Sequence, residues 1–111
     1  MSNFYFERFE EECGIADYTV VMPDDGMGPR IACGDTVLVR EQEEYQNGDV
    51  VAYILGDDLY IRRYHRITIE NGKEYVTLMP TNDDYPIHVF EEGAAEVGYI
   101  VGRVVGFRSR I

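Results

Sequence analysis

The sequence has no tryptophan, two cysteines and two histidines, and ten lysines and arginines stand against twenty-one aspartates and glutamates. Cys13 and Cys33 are too few for a disulfide scaffold and read as free thiols. His65 and His88 show no Cys/His spacing that suggests a metal site, and no cofactor is expected. The formal net charge of −11 repels phosphate backbones, so this chain should not grip nucleic acid by itself. No apolar run approaches a membrane span, and Met1–Phe9 lacks the basic-then-apolar layout of a signal peptide. The expectation is a soluble, cytoplasmic chain with no membrane contact. The most informative absence is local. Between Pro23 and Ile31 there is no Ser, Thr, Cys or His.

What is present fits one domain of 111 residues, large enough for a single core. It is organised around Tyr18–Arg40, where two strand-like runs, Tyr18–Met22 and Thr36–Arg40, flank a loop crowded with Pro, Asp and Gly. Such a loop, held between strands, is where a compact domain keeps its chemistry. Upstream, Phe6, Phe9 and Cys13 fall at helical spacing, so Phe4–Gly14 is expected to form a short helix ended by Gly14. Downstream the period changes to strands at Asp49–Leu55, Leu59–Arg66, Arg66–Glu70, Glu74–Met79, Ile87–Phe90 and Val97–Phe107. Gly56-Asp57-Asp58 predicts one hairpin, and Asn71-Gly72 predicts a type I′ turn in a second. The fold expected is mainly β, a bent or partly barrelled sheet of short strands with a short N-terminal helix. The division expected is 1–15 as helix or linker and 16–111 as the domain proper.

Each chemically suggestive group has a plain reading. Asp24-Asp25 sits among Gly and Pro, where Asp side chains cap their own backbone. Arg62, Arg63, His65 and Arg66 form a basic cluster in an acidic chain, and strand alternation puts Arg62 with Tyr64 on one face and Arg63 with His65 on the other. Pairing with the abundant carboxylates accounts for them. Cys33, with no neighbouring histidine, reads as a packed small residue and not a nucleophile.

Taken in order, five blocks carry a resemblance: Asp25-Gly26-Met27-Gly28-Pro29-Arg30-Ile31, Gly34-Asp35-Thr36-Val37-Leu38-Val39, Gly48-Asp49-Val50-Val51 with Ile61-Arg62-Arg63, Pro80–Ile87, and Val101-Gly102-Arg103-Val104-Val105. Together they resemble the C-terminal domain of LexA-type and phage-type repressors, the self-cleaving serine peptidases related to signal peptidase. The match runs from about Asp17 to Phe107. In that family the loop reads Asp-Ser-Met, and a lysine within a Lys-Arg pair on a later strand is the general base. A serine needs a base to take its proton, and a buried lysine can be neutral enough to do so. Here Gly26 stands at the serine position and Arg62 at the lysine position. Glycine has no hydroxyl, and guanidinium does not deprotonate at ordinary pH. The resemblance therefore implies a pseudo-peptidase with no catalytic residues, Gly26 and Arg62 being vestigial and Asp25, Met27 and Pro29 lining the former cleft. The dipeptide Cys13-Gly14 matches the family's cleavage bond in type, but a helix cap explains Gly14 without chemistry.

The retained role that the resemblance implies is regulation of transcription through self-association. A homodimer would place two DNA-reading helices on a palindrome, with DNA contacted only through a separate N-terminal helix-turn-helix domain. The apolar final strand, with Val101, Val104, Val105 and Phe107, is the expected dimer interface. The alternative is a stand-alone module that holds a linker or partner peptide in the vestigial cleft, with Arg62 pairing a carboxylate there.

Overall fold

The alternation of Val50–Leu55 sets the architecture, because both of its faces are apolar. Val50, Ala52 and Ile54 join one core cluster, whereas Val51, Tyr53 and Leu55 join a second on the opposite face. A strand buried on both sides must lie inside the sheet. The structure, a computed structural model, describes residues 7–8, 16–91 and 98–109. Its strands are β1 (Glu7–Arg8), β2 (Tyr18–Val21), β3 (Thr36–Arg40), β4 (Val50–Leu55), β5 (Asp58–Thr68), β6 (Glu74–Met79), β7 (His88–Glu91) and β8 (Tyr99–Arg108). They form one antiparallel sheet in the order β1-β2-β3-β8-β4-β5-β6-β7. It is curled into a half-barrel.

Two bulges on β8 give a physical cause for the curl. Against β3, Leu38 pairs with Gly106 and Val39 with Val104, which leaves Val105 as an extra residue. Against β4, Ala52 pairs with Gly102 and Tyr53 with Ile100, which leaves Val101 extra. An extra residue in one strand bends it and increases its twist. Gly102 permits the close passage between the two neighbours, since a Cβ there would lie 2.5 Å from the Arg40 carbonyl oxygen and 2.6 Å from a Val39 methyl.

The first cluster, with Met22, Val37, Val39, Ala52 and Ile61 fully buried, takes in Met27 and Ile31 of the loop that follows β2. The second, with Val51, Tyr53, Tyr64, Val76 and Leu78, packs the other face of β4–β6. Each such aliphatic side chain contributes about 1.5–3 kcal/mol relative to exposure. Together they clamp β5, and β5 carries Arg62.

Three expectations change. Of the expected helix Phe4–Gly14, only Glu7 and Arg8 lie among the described residues, and they are extended, paired with Thr19 and Tyr18. The open edge of β2 offers unmade backbone hydrogen bonds, and pairing with it overrides the local helical spacing. The two predicted segments on either side of Arg66 are one strand of eleven residues, so β5 serves both hairpins. The Asn71-Gly72 turn is not type I′. Gly72 alone has a positive φ there, at 84°, and its N–H donates to the Ile69 carbonyl at 2.9 Å. The Asn71 side chain instead accepts from the Lys73 N–H at 3.0 Å, which stabilises a wider loop.

Candidate functional site

The loop between β2 and β3 is closed at its neck by backbone bonds. Met22 N–H donates to the Asp35 carbonyl at 2.8 Å, and Gly34 N–H donates to the Met22 carbonyl at 2.9 Å. Inside it, short polar side chains cap the backbone: Asp24 accepts from Gly26 N–H, Asp25 from Cys33 N–H and Asp35 from Ala32 N–H, each at 2.9 Å. The segment 80–86 holds the loop from outside. Thr81 and Asn82 both donate backbone N–H to the Gly26 carbonyl at 3.0 Å. The Asn82 amide donates to the Asp25 carbonyl at 3.1 Å and the Thr81 hydroxyl to the Gly28 carbonyl at 3.0 Å. The Gly26 backbone is thus held at both its N–H and its carbonyl.

Arg62 reaches that position from the middle of β5, its side chain 1% exposed. Its Nη1 donates to Asp24 Oδ1 at 3.1 Å and its Nη2 to Asp24 Oδ2 at 3.0 Å, a fork-to-fork pair. Nη1 also donates to the Ile61 carbonyl at 2.8 Å. The rings of Tyr60 and Tyr85 lie 5.4 Å from its guanidinium carbon, close enough for cation–π attraction. A Cβ placed on Gly26 would fall 2.4 Å from Nη1, 2.5 Å from Cζ and 2.6 Å from Nη2. The guanidinium therefore fills the notch that any side chain at position 26 would enter. Gly26 and Arg62 form one arrangement, not two separate features.

The surroundings are tuned to this cation. His88 meets the Tyr60 ring edge-on at 4.7 Å. Burial lowers its pKa, the positive charge of Arg62 lowers it further, and Asp24 offsets part of that. Arg62 Nε and His88 Nδ1 are both buried without a hydrogen-bond partner. The chain's one lysine, Lys73, lies far along the sheet beyond β5, 3.7 Å from Glu91. Among the described residues, no group of three or more His, Cys, Asp or Glu is placed to hold a metal ion.

The Peptidase S24-like family profile matches residues 5–105. This chain belongs to that family. Relatives include a LexA repressor of Thermobifida fusca, 36% identical over 86 residues, which covers 77% of this chain and 30% of the relative. A LexA repressor of Citrifermentans bemidjiense is 31% identical over 104 residues, covering 94% and 49% of the two chains. LexA repressor 1 of Nocardia farcinica is 34% identical over 91 residues, covering 82% and 38%. The chain thus spans half or less of the length of these relatives.

Within this S24-like domain, the predicted site residues separate into two places. Gly26, Arg62 and the exposed Asp25 surround the filled notch. Met27 and Pro29 line an open groove of about 420 Å³, together with Val104, Val105 and Phe107 of β8. Val101, Val104 and Phe107 are half-buried and lean on the first core cluster, whereas Val105, the bulged residue, belongs to neither cluster. A larger groove of about 1030 Å³ lies over the second cluster, with Tyr45, Tyr64 and Tyr99 in its wall, and does not reach Gly26. Reasoning from sequence missed Asp24 as the partner of Arg62, and missed Tyr60, Tyr85 and His88 around it. The spacing of Asp24 two residues before Gly26 was visible; its reach across 38 residues to Arg62 was not. Cys33 is a free, exposed thiol and not the packed small residue expected from its sequence context, because the loop turns it to solvent while its N–H donates to Asp25; Cys13 lies outside the described residues. No described helix is long and apolar enough to cross a membrane.

Proposed function

We propose that this S24-like chain is a non-cleaving regulatory domain of a repressor-type transcription regulator, and that it works by self-association. The observation that carries the first half is the guanidinium of Arg62 in the space of a side chain at position 26. Attack on a peptide bond by the serine–lysine route needs a hydroxyl and a neutral base that takes its proton, and Gly26 with Arg62 supplies neither. The Asp24 pair holds Arg62 in place, so the notch is a structural joint between loop and strand. Residues 16–111 form this domain in the proposal, with 1–15 leading into it, and DNA is contacted by a separate N-terminal domain.

Self-association through β8 is supported by Val105, which the bulge turns out of both clusters, and by the half-buried Val101, Val104 and Phe107 beside it. A two-fold contact along this strand would cover apolar surface that a monomer leaves in water. Sedimentation equilibrium over a wide concentration range tests it. A reversible dimer is expected, converted to a folded monomer by Val105→Asp. A wild-type chain that stays monomeric at the highest concentration would sink the assembly reading. Intact-mass measurement after long incubation at pH 7 to pH 10 tests the other half, with no truncated product expected.

A second reading is a peptide-binding module. The open groove beside Met27 and Pro29 favours it, although Arg62 is already committed to Asp24.

A further inference from the structure

The groove beside Met27 differs in charge from the rest of the molecule. Its floor is apolar, built from Met27, Ile31, Val104 and Phe107, and none of its lining residues is acidic. Two arginines line it, Arg30 from the loop and Arg63 from β5. Both are exposed. Arg63 donates to the Gly48 carbonyl, and no carboxylate pairs with it among the described residues. Arg30 has no hydrogen bond or ion pair among the described residues. In a chain where acidic groups outnumber basic ones by twenty-one to ten, two arginines without carboxylate partners beside one apolar groove are unexpected on charge statistics alone. The net charge of −11 repels anions at a distance, so a carboxylate is favoured here only locally, within about 8–10 Å of the two guanidinium groups.

We infer that this groove is a docking site for an extended peptide segment of a partner protein that carries alternating apolar and carboxylate side chains. The apolar side chains would enter the floor between the loop and β8, and the carboxylates would pair with Arg30 and Arg63. The volume, about 420 Å³, suits two or three side chains and not a folded surface. The inference rests on the peptide-binding reading and not on self-association through β8, which would cover Val104, Val105 and Phe107 of the same groove, and it sharpens the peptide-binding reading in two respects. It moves the contact from the filled notch to the groove, and it assigns the ligand's charge. Arg62, buried and paired with Asp24, takes no part.

The test uses the full chain, labelled with ¹⁵N, and two probe hexapeptides, acetyl-Glu-Leu-Glu-Phe-Glu-Leu-amide and its counterpart with lysine at each glutamate. Amide shifts of Met27, Ile31, Val104 and Phe107 are expected to move with the acidic probe and stay still with the basic one. Neutralising one arginine, by Arg30→Gln or Arg63→Gln, should weaken the acidic probe by about threefold, and both together by about tenfold. Raising salt should weaken it further. Arg30→Gln removes no bond within the described fold, so its loss of affinity reads recognition and not unfolding. Equal binding of both probes, or shifts confined to the wall of the larger groove, would overturn the assignment of ligand class and place while leaving peptide binding standing. No shift with either probe at millimolar concentration would remove the peptide-binding reading itself. Groove shifts that appear on concentrating the chain alone, and that the acidic probe cannot displace, would show a second copy as the occupant and overturn the partner peptide.

Discussion

Introducing a side chain at position 26 is the sharpest perturbation that this site permits. In Gly26→Ser the new Cβ would overlap Nη1, Cζ and Nη2 of Arg62 at 2.4, 2.5 and 2.6 Å, so the guanidinium must leave. The tip of an exposed arginine moves at little cost, but this one is 1% exposed and is held by Asp24 and by the Ile61 carbonyl. Displacing one partner of a buried ion pair costs about 3–5 kcal/mol. Asp24 keeps 21% of its side chain in water, which places the loss at the lower end, about 3 kcal/mol. For a domain of this size that lowers the melting temperature by about 10–15 °C. Arg62→Lys alone gives up the fork geometry and part of the aromatic stacking, for about 1–2 kcal/mol. The double substitution removes the clash, so its loss should be smaller than the sum of the singles by at least about 1 kcal/mol. Urea unfolding followed by circular dichroism and tyrosine fluorescence measures all four proteins. Additive losses, or a Gly26→Ser loss below about 0.5 kcal/mol, would refute the idea that the arginine occupies the serine's space.

Two further consequences follow from the same geometry. Because burial and Arg62 lower the His88 pKa in the folded state, the unfolded chain takes up a proton first as pH falls. Stability contributed by neutral His88 is therefore full above about pH 6.5 and declines as pH drops from there through the folded pKa. His88→Gln should flatten that part of the pH–stability curve, and an unchanged slope would remove His88 as its source. At β8, Gly102→Ala would push a methyl against the Arg40 carbonyl at 2.5 Å, a backbone neighbour that cannot swing aside. A loss of about 1–3 kcal/mol is expected in the same unfolding assay, and a neutral result would show that β8 can shift in its slot.

Chemical capacity was legible residue by residue, since a hydroxyl is present at position 26 or it is not. Identity at Gly26 and Arg62 excludes serine chemistry with a lysine base at those positions, whatever the fold around them. The strand pattern was equally plain in runs such as Thr36–Arg40 and Val50–Leu55, where β-branched and other apolar side chains suit the pleat.

Only the tertiary structure decided where those chemistries meet. Alternation says that Arg62 shares a face with Tyr64, but not that its guanidinium meets a loop 38 residues earlier in the chain, or that Asp24 supplies the carboxylate. That partner depends on how far the sheet curls, which the bulges at Val101 and Val105 influence and no local pattern announces. The same is true of β8, last among the described strands yet lodged between β3 and β4, and of Glu7–Arg8, drawn into an edge pairing against their helical spacing. Side-chain type is a property of one residue, whereas a notch, a groove and an ion pair are properties of distances between residues far apart in sequence, and those distances exist only after the core has closed.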